Sequence, residues 1–266
     1  MSARDAPVGR RLSGYKLLGG LYLMRGQVDK ASDIIEKGLA LITTSGKAYE
    51  EVPFRLLKAR LMYLQSDYDA SSRLAASAVQ SAREISWALS APYAFSLMGR
   101  AELGRGDTAA AQEALSGLKT LIRDAEFLMP PPDIIYLEAE LAAAEGETAT
   151  AARKLAEAVS TLPHPHYMED DRQAFFHAAL AEILLKTGDL EAARVEFEKA
   201  VSAPSCWLTS GEVWGGSLLR LAELHEKNNQ QGVAAGYLRR FLALMGEGRA
   251  RAEDLARARR KLAESD

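Results

Sequence analysis

The chain has 266 residues, 48% of them hydrophobic and 26% charged, the proportions of a packed chain rather than a disordered one. Its 33 Lys and Arg nearly balance its 36 Asp and Glu, so the net charge of −3 lacks the basic excess of a dedicated nucleic-acid binder. One cysteine, Cys206, excludes an internal disulfide and any multi-cysteine zinc site.

Residues 1–11 read as a polar, basic tail. The apolar stretch 14–24 contains Lys16 and lacks the cleavage site of an export signal. No run approaches the ~18–20 apolar residues of a membrane-spanning helix. A cytoplasmic location is expected, with no membrane partner.

From residue 12 a turn signal followed by an alanine-rich run recurs: GQVDKA, SDYDAS, GDTAAA, GETATA, GDLEAA and NQQGVA, starting at Gly26, Ser66, Gly106, Gly146, Gly188 and Asn229. The intervals are 40, 40, 40, 42 and 41 residues, a regularity that marks a stacked array over 12–247 rather than one or two globular domains. Each unit reads as two helices joined by a tight turn. Gly or Asn ends the first helix in the left-handed conformation. The acidic residue that follows in four units suits the positive amino end of the second helix. Seven residues before each turn stand Gly19, Ala59, Gly99, Ala139, Ala181 and Ala222; five after it stand Ala31, Ser71, Ala111, Ala151, Ala193 and Ala234. Only small side chains allow the two helix axes to approach closely at such a contact. Nine after the turn Ile35, Ala75, Leu115, Leu155, Phe197 and Leu238 would wedge between hairpins.

The linkers agree. Pro92 and the run Pro130-Pro131-Pro132 fall where first helices begin, and proline suits a first helical turn. Glu169, Asp170 and Asp171 precede the fifth unit, and Thr209 with Glu212 forms a capping box for the sixth. Residues 248–266 show Leu255, Ala258 and Leu262 on one face of a helix, expected to cap the last hairpin. No comparable cap precedes the first, which leaves self-association through that hairpin open.

These residues resemble the tetratricopeptide repeat. The first unit matches it with Tyr15, Leu18, Gly19, Tyr22, Gly26, Ala31, Ile35 and Gly38. The fifth matches with Leu180, Ala181, Leu184, Gly188, Asp189, Ala193, Phe197, Ala200 and Pro204. Two units depart from the pattern: Lys58 and Glu138 hold the usual Leu slot, and Arg55 replaces an aromatic. The resemblance spans residues 12–245 and implies an all-α, right-handed α-solenoid of six helical hairpins plus the capping helix, akin to arrays in bacterial scaffold and signalling proteins.

Constellations that carry chemistry are thin. His164 and His166 with Glu169 or Asp170 have metal-like spacing but read as an inter-hairpin loop. His177 and His225 read as packing residues, and Cys206 has no base near it in sequence. No phosphate-binding glycine loop is present. The chain is therefore read as non-catalytic, with no cofactor and no metal.

The resemblance further implies that first helices line a concave wall, with fixed positions facing a groove. These supply Lys16, Arg60 and Arg100 at one end, Glu140, Glu182 and Glu223 at the other, and the aromatics Tyr63, Tyr93, Tyr136 and Phe175 between. Such a groove suits a partner protein or peptide with charges of opposite sign at its two ends. The family's carboxylate clamp is not expected, because Gly20 and Leu57 stand where asparagines are needed. The alternative reading is a sensory or regulatory module of a bacterial signalling or transcription system that binds a small effector or peptide.

Overall fold

The computed structural model describes residues 7–84, 91–124, 132–161, 172–202, 211–246, 248 and 252–265. Among them are thirteen α-helices, one 3-10 turn (Ala48–Glu50) and no strand. In chain order the helices are α1 (Val8–Met24), α2 (Val28–Ser45), α3 (Glu51–Leu64), α4 (Tyr68–Glu84), α5 (Ala91–Arg105), α6 (Thr108–Asp124) and α7 (Pro132–Ala144). They continue as α8 (Thr148–Thr161), α9 (Arg172–Thr187), α10 (Leu190–Ser202), α11 (Gly211–Lys227), α12 (Gln231–Met245) and α13 (Ala252–Ser265).

All six expected turns have positive φ: Gly26 (63°), Ser66 (62°), Gly106 (81°), Gly146 (85°), Gly188 (85°) and Asn229 (57°). Ser66 holds this conformation although its Cβ disfavours it. The acidic residue after the turn caps the next helix where it is Asp. Asp67, Asp107 and Asp189 each accept the N–H three residues on, at 3.1, 2.9 and 3.1 Å. Gln230 makes no side-chain cap. All twelve small residues of the helix contacts are buried, as are the six wedges.

By compactness the chain falls into two units. Residues 1–20 and 29–146 form one; 21–28 and 147–266 form the other. The core of the first joins α3 to α6 through Val52, Leu56, Val79, Phe95, Leu118 and Ile122. In the second, Ala181, Ala193, Phe197, Leu221 and Leu224 knit α9, α10 and α11. There too, Leu255 and Ala258 of α13 pack against Leu218, Leu238, Phe241 and Met245, with Leu262 half-buried beside them.

One boundary moves. The polar tail expected over 1–11 is shorter: α1 already starts at Val8, where the Pro7 carbonyl accepts the Arg11 N–H at 3.1 Å. Leu12 becomes fully buried and pulls the preceding turn into the helix. The last helix is described over Ala252–Ser265, and before it Gly248 donates back to the Met245 carbonyl at 2.8 Å. The departures in the second and fourth units have a physical cause. Lys58 pairs with Glu36 of α2 at 2.6 Å, and Glu138 pairs with Lys119 of α6 at 2.6 Å. An ion pair of either polarity thus replaces an apolar contact between neighbouring hairpins. Arg55 reaches Glu51 at 2.7 Å and also donates to Ser77 and Ser81 of α4.

Candidate partner-binding face

In the first unit, three successive first helices bring five of the expected groove residues together. Arg100 of α5 is stacked between aromatic rings of α3 and α7, its Cζ 4.8 Å from the Tyr63 centroid and 5.3 Å from that of Tyr136. A half-buried cation between two rings gains more from each than the ~0.5–1 kcal/mol of an exposed pair. The Arg100 Nη2 also reaches the Tyr63 hydroxyl at 3.5 Å, and Tyr63 meets Tyr68 edge to face at 5.4 Å. The Tyr136 hydroxyl donates to the Glu140 carboxylate. Burial and then that carboxylate push the Tyr136 phenol well above its ordinary range. Burial opposes the charge on Arg100, but Tyr136, Tyr63, Glu140 and Tyr93 together outweigh it and hold the guanidinium firmly charged. Tyr93 stands at the open edge, 38% exposed. The result is a fixed cation, flanked by aromatic faces, with one carboxylate beside it. Such a stacked guanidinium suits an anionic group in a partner, and the rings suit apolar side chains.

Lys16 and Arg60 are the other basic residues expected at that end. Lys16 is half-buried and pairs with Glu50 at 3.0 Å; Arg60 is half-buried on α3.

In the second unit the carboxylates are met by cations. Arg220 of α11 donates to Glu182 at 2.8 Å and to Glu223 at 3.0 Å. The bond to Glu182 contributes most to raising the Arg220 pKa, ahead of burial, which opposes it. Arg257 of α13 joins Glu223 at 2.9 Å and Asp254 at 3.0 Å, and Lys261 joins Glu226. Phe175 is half-buried on α9. The acidic row is therefore a chain of ion pairs in which three cations meet four carboxylates. The expected site did not include these cations. The spacing Arg220–Glu223 is an i,i+3 signal readable in sequence. Arg257 reaches Glu223, and Lys261 reaches Glu226, only through the docking of α13.

The two histidines read as packing residues also carry hydrogen bonds. His177 Nδ1 meets Glu196 at 2.6 Å, and His225 Nδ1 meets Gln230 at 2.6 Å while stacking on Tyr237 at 5.4 Å. Burial would raise the Glu196 carboxyl; bonds from His177 and Lys199 outweigh that and hold it below its usual value. His164, His166, Glu169, Asp170, Asp171, Pro130, Pro131, Pro204, Cys206, Trp207, Thr209 and Ser210 lie outside the described residues. Among the described residues no group of three or more His, Cys, Asp or Glu is placed to hold a metal ion, and no helix is long and apolar enough to cross a membrane.

No protein-family model matches the sequence, and no curated protein is similar to it. Solved structures are similar. A thermophilic tetratricopeptide-repeat protein of Thermus thermophilus is 18% identical over 79% of this chain and 97% of its own, with a TM-score of 0.54. The quorum sensor NprR of B. thuringiensis, in its apo form, is 14% identical over 92% of this chain and 68% of its own, with a TM-score of 0.53. NprR in complex with its cognate peptide NprX gives 12%, 93%, 71% and 0.57 in the same terms. At these identities the likeness is one of fold: the chain is an all-α solenoid of the tetratricopeptide-repeat type.

Proposed function

We propose that the chain is a non-catalytic, cytoplasmic interaction module that holds a segment of a partner protein against its first-helix face, with Arg100 as the central anchor. The observation that carries this reading is the stacking of Arg100 between Tyr63 and Tyr136. An acidic side chain of the partner would meet the guanidinium edge, and apolar side chains would lie on Tyr63, Tyr93 and Tyr136. Lys16, Arg60 and Glu140 belong to the same unit and would add polar contacts there. In the second unit Phe175, Glu182 and Glu223 would offer further contacts to the partner. The charge balance of the chain speaks against nucleic acid as the partner. Self-association belongs to the same reading. Leu17, Leu18 and Leu21 of α1 are 76%, 39% and 36% exposed, an apolar stripe that a second copy could cover.

Affinity capture from native lysate tests the main reading, with the double variant Arg60→Glu, Arg100→Glu as control. Helicity of the variant is first checked by circular dichroism. The wild-type partner should be lost or weakened at least about ten-fold, the consequence of removing a charge-assisted anchor. Retention of the same proteins at unchanged yield refutes the site.

A second reading, a sensory or regulatory module, is favoured by the fold likeness to NprR bound to NprX. Such a module requires an effector that binds two conformations with different affinity. Small-angle scattering with and without the captured ligand separates the readings: an unchanged profile supports the scaffold.

A further inference from the structure

Five of the six hairpin turns are open to solvent: Ser66, Gly106, Gly146, Gly188 and Asn229 are exposed, as is the residue after each. The first turn is not. Gly26 is buried, and Gln27 and Val28 retain 5% and 8% of their exposure. Before the turn, Leu23 and Met24 retain 0% and 1%. No other hairpin buries the residues at those two positions, where α9 and α11 carry exposed Lys186 and Lys227 in the place of Met24. A hairpin tip alone cannot bury its own end. Consistently, residues 21–28 belong to the compact unit of residues 147–266.

Gly248, between α12 and α13, marks the contact. A Cβ there would stand 2.4 Å from the Arg25 carbonyl oxygen and 2.7 Å from the carbonyl carbon and oxygen of Gly26. Its φ lies outside the left-handed region, so close approach alone demands glycine at this position. Both neighbours are backbone atoms and cannot swing aside as a side chain can.

We infer that the first turn and Gly248 form a latch: residues 23–28 are clasped at Gly248 within one compact unit, so the tip of the first hairpin is held closed by a residue more than two hundred positions further along the chain. The latch covers a hairpin tip of the kind that elsewhere stands open to solvent. Its sequence trace is the trio Leu23, Met24 and Val28, since no other turn carries large aliphatic side chains at all three of these positions. None of the residues proposed for partner binding takes part.

Amide hydrogen exchange tests the latch against an internal control. In the first turn Gly26 donates to Leu23 at 3.0 Å and Gln27 to Tyr22 at 2.8 Å; in the third, Gly106 donates to Leu103 at 3.0 Å and Asp107 to Glu102 at 2.9 Å. With bonding this alike, a difference in exchange, corrected for intrinsic rates, reports opening. The first turn should exchange about ten-fold or more slowly than the third in the wild type. Gly248→Val should bring the two within about three-fold, with helicity unchanged. Equal protection in the wild type, or persistent slow exchange in a folded Gly248→Val chain, overturns the latch. Trypsin provides a reading without any variant, because Arg25–Gly26 and Arg105–Gly106 are Arg-Gly bonds at equivalent turn positions. The wild type should be cut at the second about ten-fold faster. Equal cutting at both bonds contradicts the latch even if Gly248→Val fails to fold.

Discussion

Replacing Gly38 with Ala sets two effects of known size against each other. Ala is favoured over Gly inside a helix by about 1 kcal/mol. At Gly38 of α2, however, a Cβ would stand 1.9 Å from Cε1 of Phe54, and 2.5 and 2.6 Å from its Cζ and Cδ1. Ordinary contact begins at 3.4 Å, so the ring must retreat by about 1.5 Å. Phe54 is fully buried in α3 and has nowhere to go without parting the helices. Overpacking of this kind costs about 1–3 kcal/mol, so the clash wins and Gly38→Ala destabilises. Gly14 of α1 provides the reference, because a Cβ there meets nothing within 4 Å. Gly14→Ala should therefore stabilise by about 1 kcal/mol. The difference between the two variants isolates the clash. At ~2–4 °C per kcal/mol for a chain of this size, it should separate their Tm values by roughly 2–12 °C. Thermal melts followed by circular dichroism measure it. Equal Tm values for the two variants refute the packing of α2 against α3 at Gly38.

Other outcomes follow from the same geometry. Ala193→Leu should cost about 1–3 kcal/mol, because Ala193 is fully buried against α9. Its neighbour Ala192 borders an open groove of about 670 Å³ between α8, α9 and α10, so Ala192→Leu should cost less than about 1 kcal/mol in the same urea melts. Comparable losses at the two positions argue against the helix contact. The alkaline limb should carry the signature of Tyr136. Its folded pKa is raised, so below the unfolded value of ~10 it costs nothing, and stability falls as pH rises above that value while only the unfolded chain ionises. Tyr136→Phe should flatten stability between about pH 10 and 11.5, measured by urea midpoints. A limb as steep as the wild type's contradicts the burial of that phenol.

The face built around Arg100 illustrates how far each level of description reached. Its residues were identifiable as positions six, three and ten before successive turns, because one helix face recurs wherever the turn recurs. That Tyr63 and Tyr136 close on Arg100 from two sides was not identifiable, since ring stacking depends on the spacing of three helices rather than on the order of residues in any one. The acidic row shows the same limit more sharply. The sequence places Glu182 and Glu223 on one helix face without naming their cations; Arg220 lies between them and Arg257 arrives on α13, more than thirty residues further along the chain.

The six turns, the twelve small contact residues and the all-helical hairpins are written into the order of residues alone. Each depends on conformational preferences and local spacing: on left-handed Gly or Asn, on Asp at a helix start, and on a helical period that returns one face inward. Packing in three dimensions selects which charges are compensated, which glycines are sterically required and which turn is covered. Gly14 and Gly38 are the same residue type in adjacent helices, and Gly26 and Gly106 occupy the same position in their hairpins. What separates the members of each pair is a neighbour distant in sequence: Phe54 against Gly38, and Gly248 against Gly26. Short-range repetition can specify a hairpin many times over, but only the packed chain makes two identical hairpins unlike.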